Sequence, residues 1–206
     1  MIKIHYSFYN DYIEDFIFKE KLQKRINKIN NDIQTNYIPT NNVLEEFFVE
    51  IFSWTVIPKS LLHDIDTIVS AYTHNYILID PCSGNSFHTF LFNHFCKRDV
   101  ITIDIQGEED AWIDTIECDG LSYMKNKIEN YDNKVLLLSG IDYDKLTVEL
   151  LRTYKGNIVI SIGNYDETNS IQYLTELEDN YILIKHFIIE MPWKSIENIR
   201  IFKKNV

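Results

Sequence analysis

The chain has 206 residues, of which 45% are hydrophobic, 25% are charged and 14% are aromatic, and its formal net charge is −11. This is the composition of a globular protein with a substantial core, and it disfavours nucleic-acid substrates because an acidic surface repels phosphate backbones. The three cysteines lack a CxxC spacing, the N-terminus lacks a signal pattern and no stretch is apolar enough to span a bilayer, so we expect a reduced, cytoplasmic protein without a membrane segment.

Residues 1–75 are predicted to be helical. Their apolar side chains recur at roughly helical spacing, as in Ile13, Phe16, Ile17, Ile26 and Ile29. No Gly-, Ser- or Pro-rich linker separates this segment from the rest of the chain. We therefore expect residues 1–75 to form a helical N-terminal cap that belongs to the same domain as residues 76–206.

The last helix of this cap is predicted to follow Pro58. A proline biases the preceding residue to an extended conformation, so an earlier helix should end before it. Ser60 is a candidate N-cap for the new helix. That helix would bury Leu61, Leu62, Ile65, Ile68 and Val69.

A strand that ends in a carboxylate follows the cap. Tyr76 to Ile79 form an unbroken apolar run, which is typical of a strand buried on both faces. Asp80 ends the run, and Pro81 cannot donate to a sheet ladder, so the strand should stop there.

The segment after Pro81 has the composition of a tight turn. Gly84 allows the turn and the close approach of a ligand to the backbone. Asn85 or Ser86 can cap the helix that follows. A strand, an acidic residue, a glycine-containing turn and a helix form the arrangement with which a doubly wound α/β fold holds a nucleotide-like ligand.

From residue 76 onward, strands alternate with helices. The predicted strands cover residues 76–80, 100–104, 114–118, 134–139, 157–162, 181–188 and 197–203, and the predicted helices cover 86–96, 120–129, 144–153 and 167–178. This alternation predicts an α/β fold with a largely parallel sheet. The last two strands leave no room for a helix between them, so the final strand should run antiparallel to its neighbours.

Three of these strands are followed by a carboxylate. Asp80 can hold a ligand's ammonium group through water, or bind the N–H groups of its own turn. Asp104 lies about 20 residues after the turn, the spacing at which an acidic residue binds ribose hydroxyls in adenosine-containing ligands, NAD included; the alternative is an exposed loop residue. Asp119 can accept from an adenine amine, cap the next helix, or do both. Glu108, Glu109 and Asp110 are interpreted as solvated acid.

Metal and nucleophilic chemistry are not predicted. The six histidines form neither an HExxH motif nor a Cys/His metal spacing. Cys82 lies in the turn but has no paired histidine in sequence reach.

These residues resemble the class I S-adenosylmethionine-dependent methyltransferase superfamily. Its first motif has three alternating glycines after the Asp; the matching positions here are Cys82, Gly84 and Ser86, so only the central glycine is retained. The predicted terminal hairpin is also typical of that superfamily. The resemblance implies a Rossmann-like sheet and S-adenosylmethionine as cofactor, with contacts from Asp80, Pro81, Cys82, Ser83, Gly84, Asn85, Ser86, Asp104, Ile105, Asp119, Gly120 and Ser139.

A closer resemblance, to a group of methyltransferase-like proteins of fungi, plants and large viruses, covers most of the chain. Ser53–Pro58 is similar to its SWAIP-like element, with one extra residue. Leu137–Asp144 aligns with a segment like LLSWPPYD, Leu150–Gly156 with LRxYxG, and Ile160–Gly163 with IxIG. The resemblance implies little about the substrate.

The segment after the fourth strand departs from that pattern. Both prolines of the PPY-type element, which holds a planar amine in amino-methyltransferases, are missing. Tyr143 could still stack on a planar substrate, and Asp142 could act as a general base or orienting acceptor; alternatively, Asp142 or Ser139 caps the following helix. Trp54, with Pro58, would close over the cofactor and part of the substrate pocket.

The sequence therefore predicts an S-adenosylmethionine-dependent methyltransferase. The net charge favours a small molecule or a protein over nucleic acid as methyl acceptor. The missing glycines and prolines motivate an alternative, a catalytically inactive methyltransferase-fold binding or regulatory subunit. A nicotinamide-dependent oxidoreductase is disfavoured because the turn lacks GxGxxG.

Overall fold

The computed structural model describes residues 11–36, 48–108, 110–140, 144–164, 171–191, 193 and 195–205. The helices are α1 (Phe16–Asn36), α2 (Lys59–Tyr72), α3 (Phe87–Cys96), α4 (Gly120–Asn126), α5 (Asp144–Thr153) and α6 (Ile171–Asn180). The strands are β1 (Ile77–Asp80), β2 (Asp99–Asp104), β3 (Ile116–Glu117), β4 (Lys134–Ser139), β5 (Ile158–Gly163), β6 (Tyr181–Glu190) and β7 (Ile196–Lys204). Among the helices so described, none is long and apolar enough to cross a bilayer.

The seven strands form one sheet in the order β3-β2-β1-β4-β5-β7-β6. Neighbours pair in parallel from β3 to β5, and β7 pairs antiparallel with both β5 and β6. The predicted mostly parallel α/β sheet with an antiparallel last strand is confirmed. The third strand is shorter than predicted: as the exposed edge strand it pairs only Ile116 and Glu117 with β2. The predicted helix 120–129 already ends at Asn126.

Two hydrophobic cores lie on the two faces of the sheet. Successive side chains of a strand point to opposite faces, and Leu78 accordingly packs into one core while Ile79 packs into the other. The first core includes side chains of α1, α2 and α3, and the second includes side chains of α4, α5 and α6. Both residues are fully buried, which confirms that β1 is covered on both sides.

Helix α1 is present, but only some of the apolar residues whose spacing predicted it are buried: Ile26 and Ile29 pack at the first core, whereas the others do not. Phe18, Leu22 and Ile29 pack into the first core. The residues Ile13, Phe16 and Ile17 are exposed. The reason is an aromatic cluster from distant parts of the chain, in which the ring of Phe18 lies 5.1 Å from that of Trp112, and a local period could not reveal that partner.

Helix α2 begins earlier than predicted. Pro58 is its N-cap residue, and its carbonyl accepts a hydrogen bond from the Leu62 N–H. The prediction that Ser60 caps the helix is wrong, because Ser60 already lies in the first turn. Proline suits this boundary, since its fixed φ is compatible with a helix start and it has no N–H to satisfy.

Candidate functional site

The three candidate carboxylates lie at one edge of the sheet. Asp80 ends β1 and Asp104 ends β2, while Asp119 follows β3 as the N-cap of α4. The strands are adjacent and parallel, so their carboxyl ends meet at the same edge. Burial, followed by the charges of all three carboxylates, raises the pKa of the Cys82 thiol to about 12. The three charges therefore converge around the turn that contains Cys82.

Asp80 is a buried carboxylate with incomplete hydrogen bonding. Its Oδ2 accepts from the Thr89 hydroxyl at 2.5 Å. Its Oδ1 is buried and has no well-formed hydrogen bond to any described residue. Burial raises the pKa of Asp80 to about 7; the Thr89 hydroxyl and the Cys82 N–H lower it, and the charge of Asp104 adds to the increase. A cation beside Oδ1 would remove this cost of ionisation.

The turn after β1 is bound to the tip of β2. The Gly84 N–H donates to Asp104 Oδ2 at 2.8 Å, and the Ser83 N–H donates to the Ile103 carbonyl at 3.0 Å. Asp104 Oδ1 accepts from the Gln106 N–H at 3.1 Å. Gly84 has φ +49°, and a Cβ added there would meet no atom within 4 Å. The glycine thus serves the left-handed backbone conformation and leaves its outer side open.

Ser86 stands where the superfamily motif has its third glycine. It has φ +62° and is fully buried. Its hydroxyl lies 2.7 Å from the Thr115 hydroxyl and donates to Ser83 Oγ at 3.1 Å. These hydrogen bonds hold a left-handed conformation that a side chain rarely adopts.

Asn85 rather than Ser86 caps α3 with its side chain. Its Oδ1 accepts from the Phe87 N–H at 3.0 Å, whereas Ser86 makes no side-chain cap bond. The other end of the amide donates to the Phe52 carbonyl at 2.7 Å. The Asn85 side chain therefore ties the turn to residues of the predicted cap.

Asp119 caps α4, as one of the two alternatives predicted. Its Oδ1 accepts from the Ser122 N–H at 2.7 Å, and hydrogen bonds to Ser122 lower the pKa of this exposed carboxyl. Gly120 is packed so closely that an added Cβ would lie 2.0 Å from the Pro81 carbonyl oxygen. This contact brings the start of α4 against the turn. Ile105, next to Asp104, is 75% exposed beside the same edge.

A cavity of about 280 Å³, which we call the strand-tip cavity, opens at this edge. Its lining includes Asp80, the turn 82–85, His88, Ser139 and Gly140. From the predicted cap, Glu50 and the half-exposed Trp54 border it. Asp104, Asp119 and Pro58 are not part of its lining, and Asp142 and Tyr143 lie outside the described residues.

His88 is a member of this site that the sequence did not predict. It is buried, its Nε2 lies 2.7 Å from the Thr55 carbonyl oxygen, and its Nδ1 lies 2.8 Å from Ser139 Oγ. Burial lowers the pKa of His88 to about 4 despite the bond to Thr55. No local pattern signals this role, because Ser139 is 51 residues away along the chain.

A buried arginine joins α1 to the loop between β2 and β3. Arg25 donates to the Glu50 carbonyl at 2.6 Å and to the Asp110 carbonyl at 2.8 Å, and it pairs with Glu108 at 3.2 Å. Lys28 pairs with Asp110 at 2.6 Å. The interpretation of Glu108 and Asp110 as merely solvated acid is therefore wrong, since basic residues more than 80 positions away bind both; Glu109 lies outside the described residues.

Several solved structures share this architecture. The chain aligns with a protein from Listeria monocytogenes assigned as a class I S-adenosylmethionine-dependent methyltransferase, over 94% of this chain and 70% of that one, with a TM-score of 0.53 and 12% identity. It also aligns with the N-methyltransferase NodS from Bradyrhizobium japonicum in complex with S-adenosyl-L-homocysteine, over 90% and 99% of the two chains, with a TM-score of 0.50 and 10% identity.

The chain has the class I methyltransferase fold. A third structure of this fold, TrmN from Thermus thermophilus, aligns over 72% of this chain with a TM-score of 0.51 and 11% identity, and the match spans 49% of TrmN. No family model matches the sequence, and no curated protein matches it either. Membership in the methyltransferase-like group of fungi, plants and large viruses therefore stays a prediction.

Proposed function

We propose that this protein is an S-adenosylmethionine-dependent methyltransferase. The observation that carries the proposal is the orphaned Oδ1 of Asp80, a buried carboxylate oxygen without a well-formed hydrogen bond at the edge where the class I methyltransferase fold binds its cofactor. An ammonium group is the partner that such an oxygen lacks, and the methionine part of the cofactor carries one.

The neighbouring residues fit the remainder of the cofactor. Asp104 uses one lone pair of each oxygen for the Gly84 and Gln106 N–H groups, which leaves further lone pairs for two ribose hydroxyls. The exposed side chain of Ile105 offers an apolar contact for adenine, and Asp119 at the start of α4 is the proposed acceptor for its amine. The open side of Gly84 admits a ligand against the backbone.

The bound cofactor supplies a methyl group on a sulfonium, which needs no metal and little acid–base help. The protein's task is alignment, because holding the nucleophile in line with the methyl carbon and the sulfur supplies much of the rate. Asp80 would hold the ammonium group of the methionine part, and Trp54, a residue of the predicted cap, borders the cavity. Tyr143 and Asp142 stay candidates for contact with the substrate.

The charge of the site bears on the methyl acceptor. Glu50, Asp80 and Glu108 line the cavity, and no lysine or arginine does so among the described residues. With a formal net charge of −11, this lining repels phosphates. A small molecule or a protein side chain is therefore the proposed acceptor class, rather than a nucleic acid.

The test compares two carboxylates of the same strand. Asp104→Asn preserves shape and removes the charge beside the cavity, while Asp99→Asn removes the same charge from the exposed start of β2. Titration calorimetry with S-adenosylhomocysteine should show affinity reduced at least about tenfold in Asp104→Asn, since charge-assisted bonds are worth about 1.5–3 kcal/mol each. Asp99→Asn should stay within about twofold of the unchanged protein.

Two results would point elsewhere. Absence of binding by S-adenosylmethionine and S-adenosylhomocysteine would refute the proposal. Binding without conversion of S-adenosylmethionine to S-adenosylhomocysteine, across amine, hydroxyl, thiol and protein acceptors, would support the alternative of an inactive binding or regulatory subunit.

A further inference from the structure

The hydrogen bonds of His88 determine which of its nitrogens carries a proton. The Thr55 carbonyl oxygen can only accept, so the Nε2 that lies 2.7 Å from it must be the donor. An uncharged imidazole with a proton on Nε2 has a lone pair on Nδ1. The hydroxyl of Ser139, 2.8 Å from Nδ1, must therefore donate its hydrogen to His88.

This arrangement orients the Ser139 oxygen. Its single hydrogen is directed at a buried histidine, so its lone pairs are what remain for the strand-tip cavity, which Ser139 lines. Burial keeps His88 uncharged near neutral pH, because its pKa falls to about 4. Toward a ligand in the cavity, the Ser139 hydroxyl can therefore only accept a hydrogen bond, whereas a free hydroxyl could also donate one.

The other side chains around Ser139 reinforce this polarity. Trp54 borders the cavity with an apolar ring that lies close to Gly140, the residue after Ser139: its Cδ1 would be 3.7 Å from a Cβ built there. Apart from Cys82 and the uncharged His88, the ionisable residues of the lining are the carboxylates Glu50, Asp80 and Glu108. A group that enters beside Ser139 meets hydrogen-bond acceptors and an aromatic surface.

We infer that His88 is a positioning residue which makes Ser139 an obligate acceptor, so that the methyl-accepting atom is an uncharged nitrogen or oxygen carrying a hydrogen. The lone pair of that atom forms the bond to the methyl carbon as the carbon–sulfur bond breaks, and its hydrogen is released to solvent as a proton. This inference rests on the proposed methyltransferase function. It excludes carboxylates and phosphates as the accepting group, because their oxygens would face the Ser139 lone pairs. The pair His88–Ser139 would thus select the methyl acceptor, a role that the PPY-type element, whose two prolines are missing here, has in amino-methyltransferases.

Two substitutions separate the two hydrogen bonds of His88. His88→Gln can place a donor where Nε2 lies and so keep the bond to Thr55, but it removes the acceptor for the Ser139 hydrogen. His88→Asn can place an acceptor where Nδ1 lies and so keep Ser139 oriented, but it loses the buried bond to Thr55. A purely structural histidine predicts that His88→Asn is the more damaged protein in every measurement.

The probes are two pairs of compounds: phenol and anisole form the first pair, and aniline and N,N-dimethylaniline form the second. In each pair, only the first compound carries a hydrogen on its oxygen or nitrogen. Their dissociation constants are measured by NMR on protein saturated with S-adenosylhomocysteine. The preference for the donor member should fall about five- to tenfold in Ser139→Ala and in His88→Gln, which corresponds to one buried hydrogen bond. It should stay within about twofold in His88→Asn. Imidazole ¹⁵N shifts of the unchanged protein should show a protonated Nε2 and an unprotonated Nδ1.

The outcomes distinguish this inference from the function beneath it. If the protein does not bind S-adenosylhomocysteine, the proposed function fails. Three results with a protein that does bind S-adenosylhomocysteine would overturn the role of His88 and leave the methyltransferase proposal standing. They are the absence of a preference for the donor compounds, the failure of all four probes to bind, and an unchanged preference in His88→Gln.

Discussion

The Gly84 N–H donates to Asp104 Oδ2 across 2.8 Å, so the tip of β2 holds the turn that follows β1. The same carboxylate is the proposed ribose ligand. Cofactor binding and the conformation of the turn are therefore coupled through one side chain, and changes at either residue should affect both.

Gly84→Ala should destabilise the folded protein and lower its affinity for the cofactor. The left-handed conformation at φ +49° costs a non-glycine residue about 1–2 kcal/mol, although the added Cβ has room. Gly107→Ala is the matched control, because Gly107 also has open space around it but lacks a positive φ. Urea unfolding should show the loss for Gly84 alone. Equal stability of the two variants would contradict the assigned backbone role.

Asp80→Asn should stabilise the protein at pH 8 and have little effect at pH 3. Burial raises the pKa of Asp80 to about 7, so the folded protein keeps a proton that the unfolded chain releases near pH 4. The stabilisation from this retained proton is complete below the unfolded pKa and is lost as the pH rises through about 7. Asparagine never ionises, so its advantage grows across that range.

The expected gain for Asp80→Asn at pH 8 is at most about 4 kcal/mol, since each pKa unit corresponds to about 1.4 kcal/mol. The measurement is the free energy of unfolding of both proteins between pH 3 and pH 8. S-adenosylhomocysteine affinity should fall in the same variant, because its ammonium loses a charged partner. A constant stability difference at every pH would show that Asp80 does not titrate in this window.

Trp112→Ala should be among the most destabilising substitutions in the chain. Its ring is fully buried, lies 5.1 Å from the rings of Phe18, Phe87 and Phe90, and donates through Nε1 to the Ile51 carbonyl. Truncation of a buried tryptophan costs about 3–5 kcal/mol. Trp54→Ala, at a residue that is 50% exposed, should cost less than about 1 kcal/mol. Urea unfolding of the two variants measures the difference.

Arg25→Ala should destabilise the protein by about 3–5 kcal/mol, because it leaves the Glu50 and Asp110 carbonyl groups without their charged donor and hydrogen bonds to a charged group are worth about 1.5–3 kcal/mol each. Lys28→Ala is the control on the same acid, because Lys28 also pairs with Asp110 but is half exposed. Its loss should cost less than about 1 kcal/mol. Thermal unfolding at low and high salt should show that only the Lys28 contribution is strongly screened.

Local patterns in the sequence were sufficient to predict the sheet. The apolar run before Asp80, the alternation after it and the absence of a helix between the last two strands are short-range features, and each was confirmed. The carboxylates could be placed at one edge for the same reason, since the carboxyl ends of parallel strands coincide.

Long-range partners were what the sequence could not provide. His88 looked like an ordinary histidine on an aromatic helix, because its contacts, Thr55 and Ser139, are 33 and 51 residues away. Likewise, the apolar spacing in the first helix did not indicate that Phe18 packs against Trp112, which lies far along the chain. Ser60 has the residue type of an N-cap, but the helix begins directly after Pro58, so Ser60 lies within its first turn.

The position of β7 between β5 and β6 constrains how the chain can be assembled. During synthesis β6 emerges before β7, the strand to which it bonds, so it must wait without its partner until Ile196–Lys204 have been released. Loss of β7 would consequently detach two strands rather than one, and the long, isoleucine-rich β6 would then be available for aggregation.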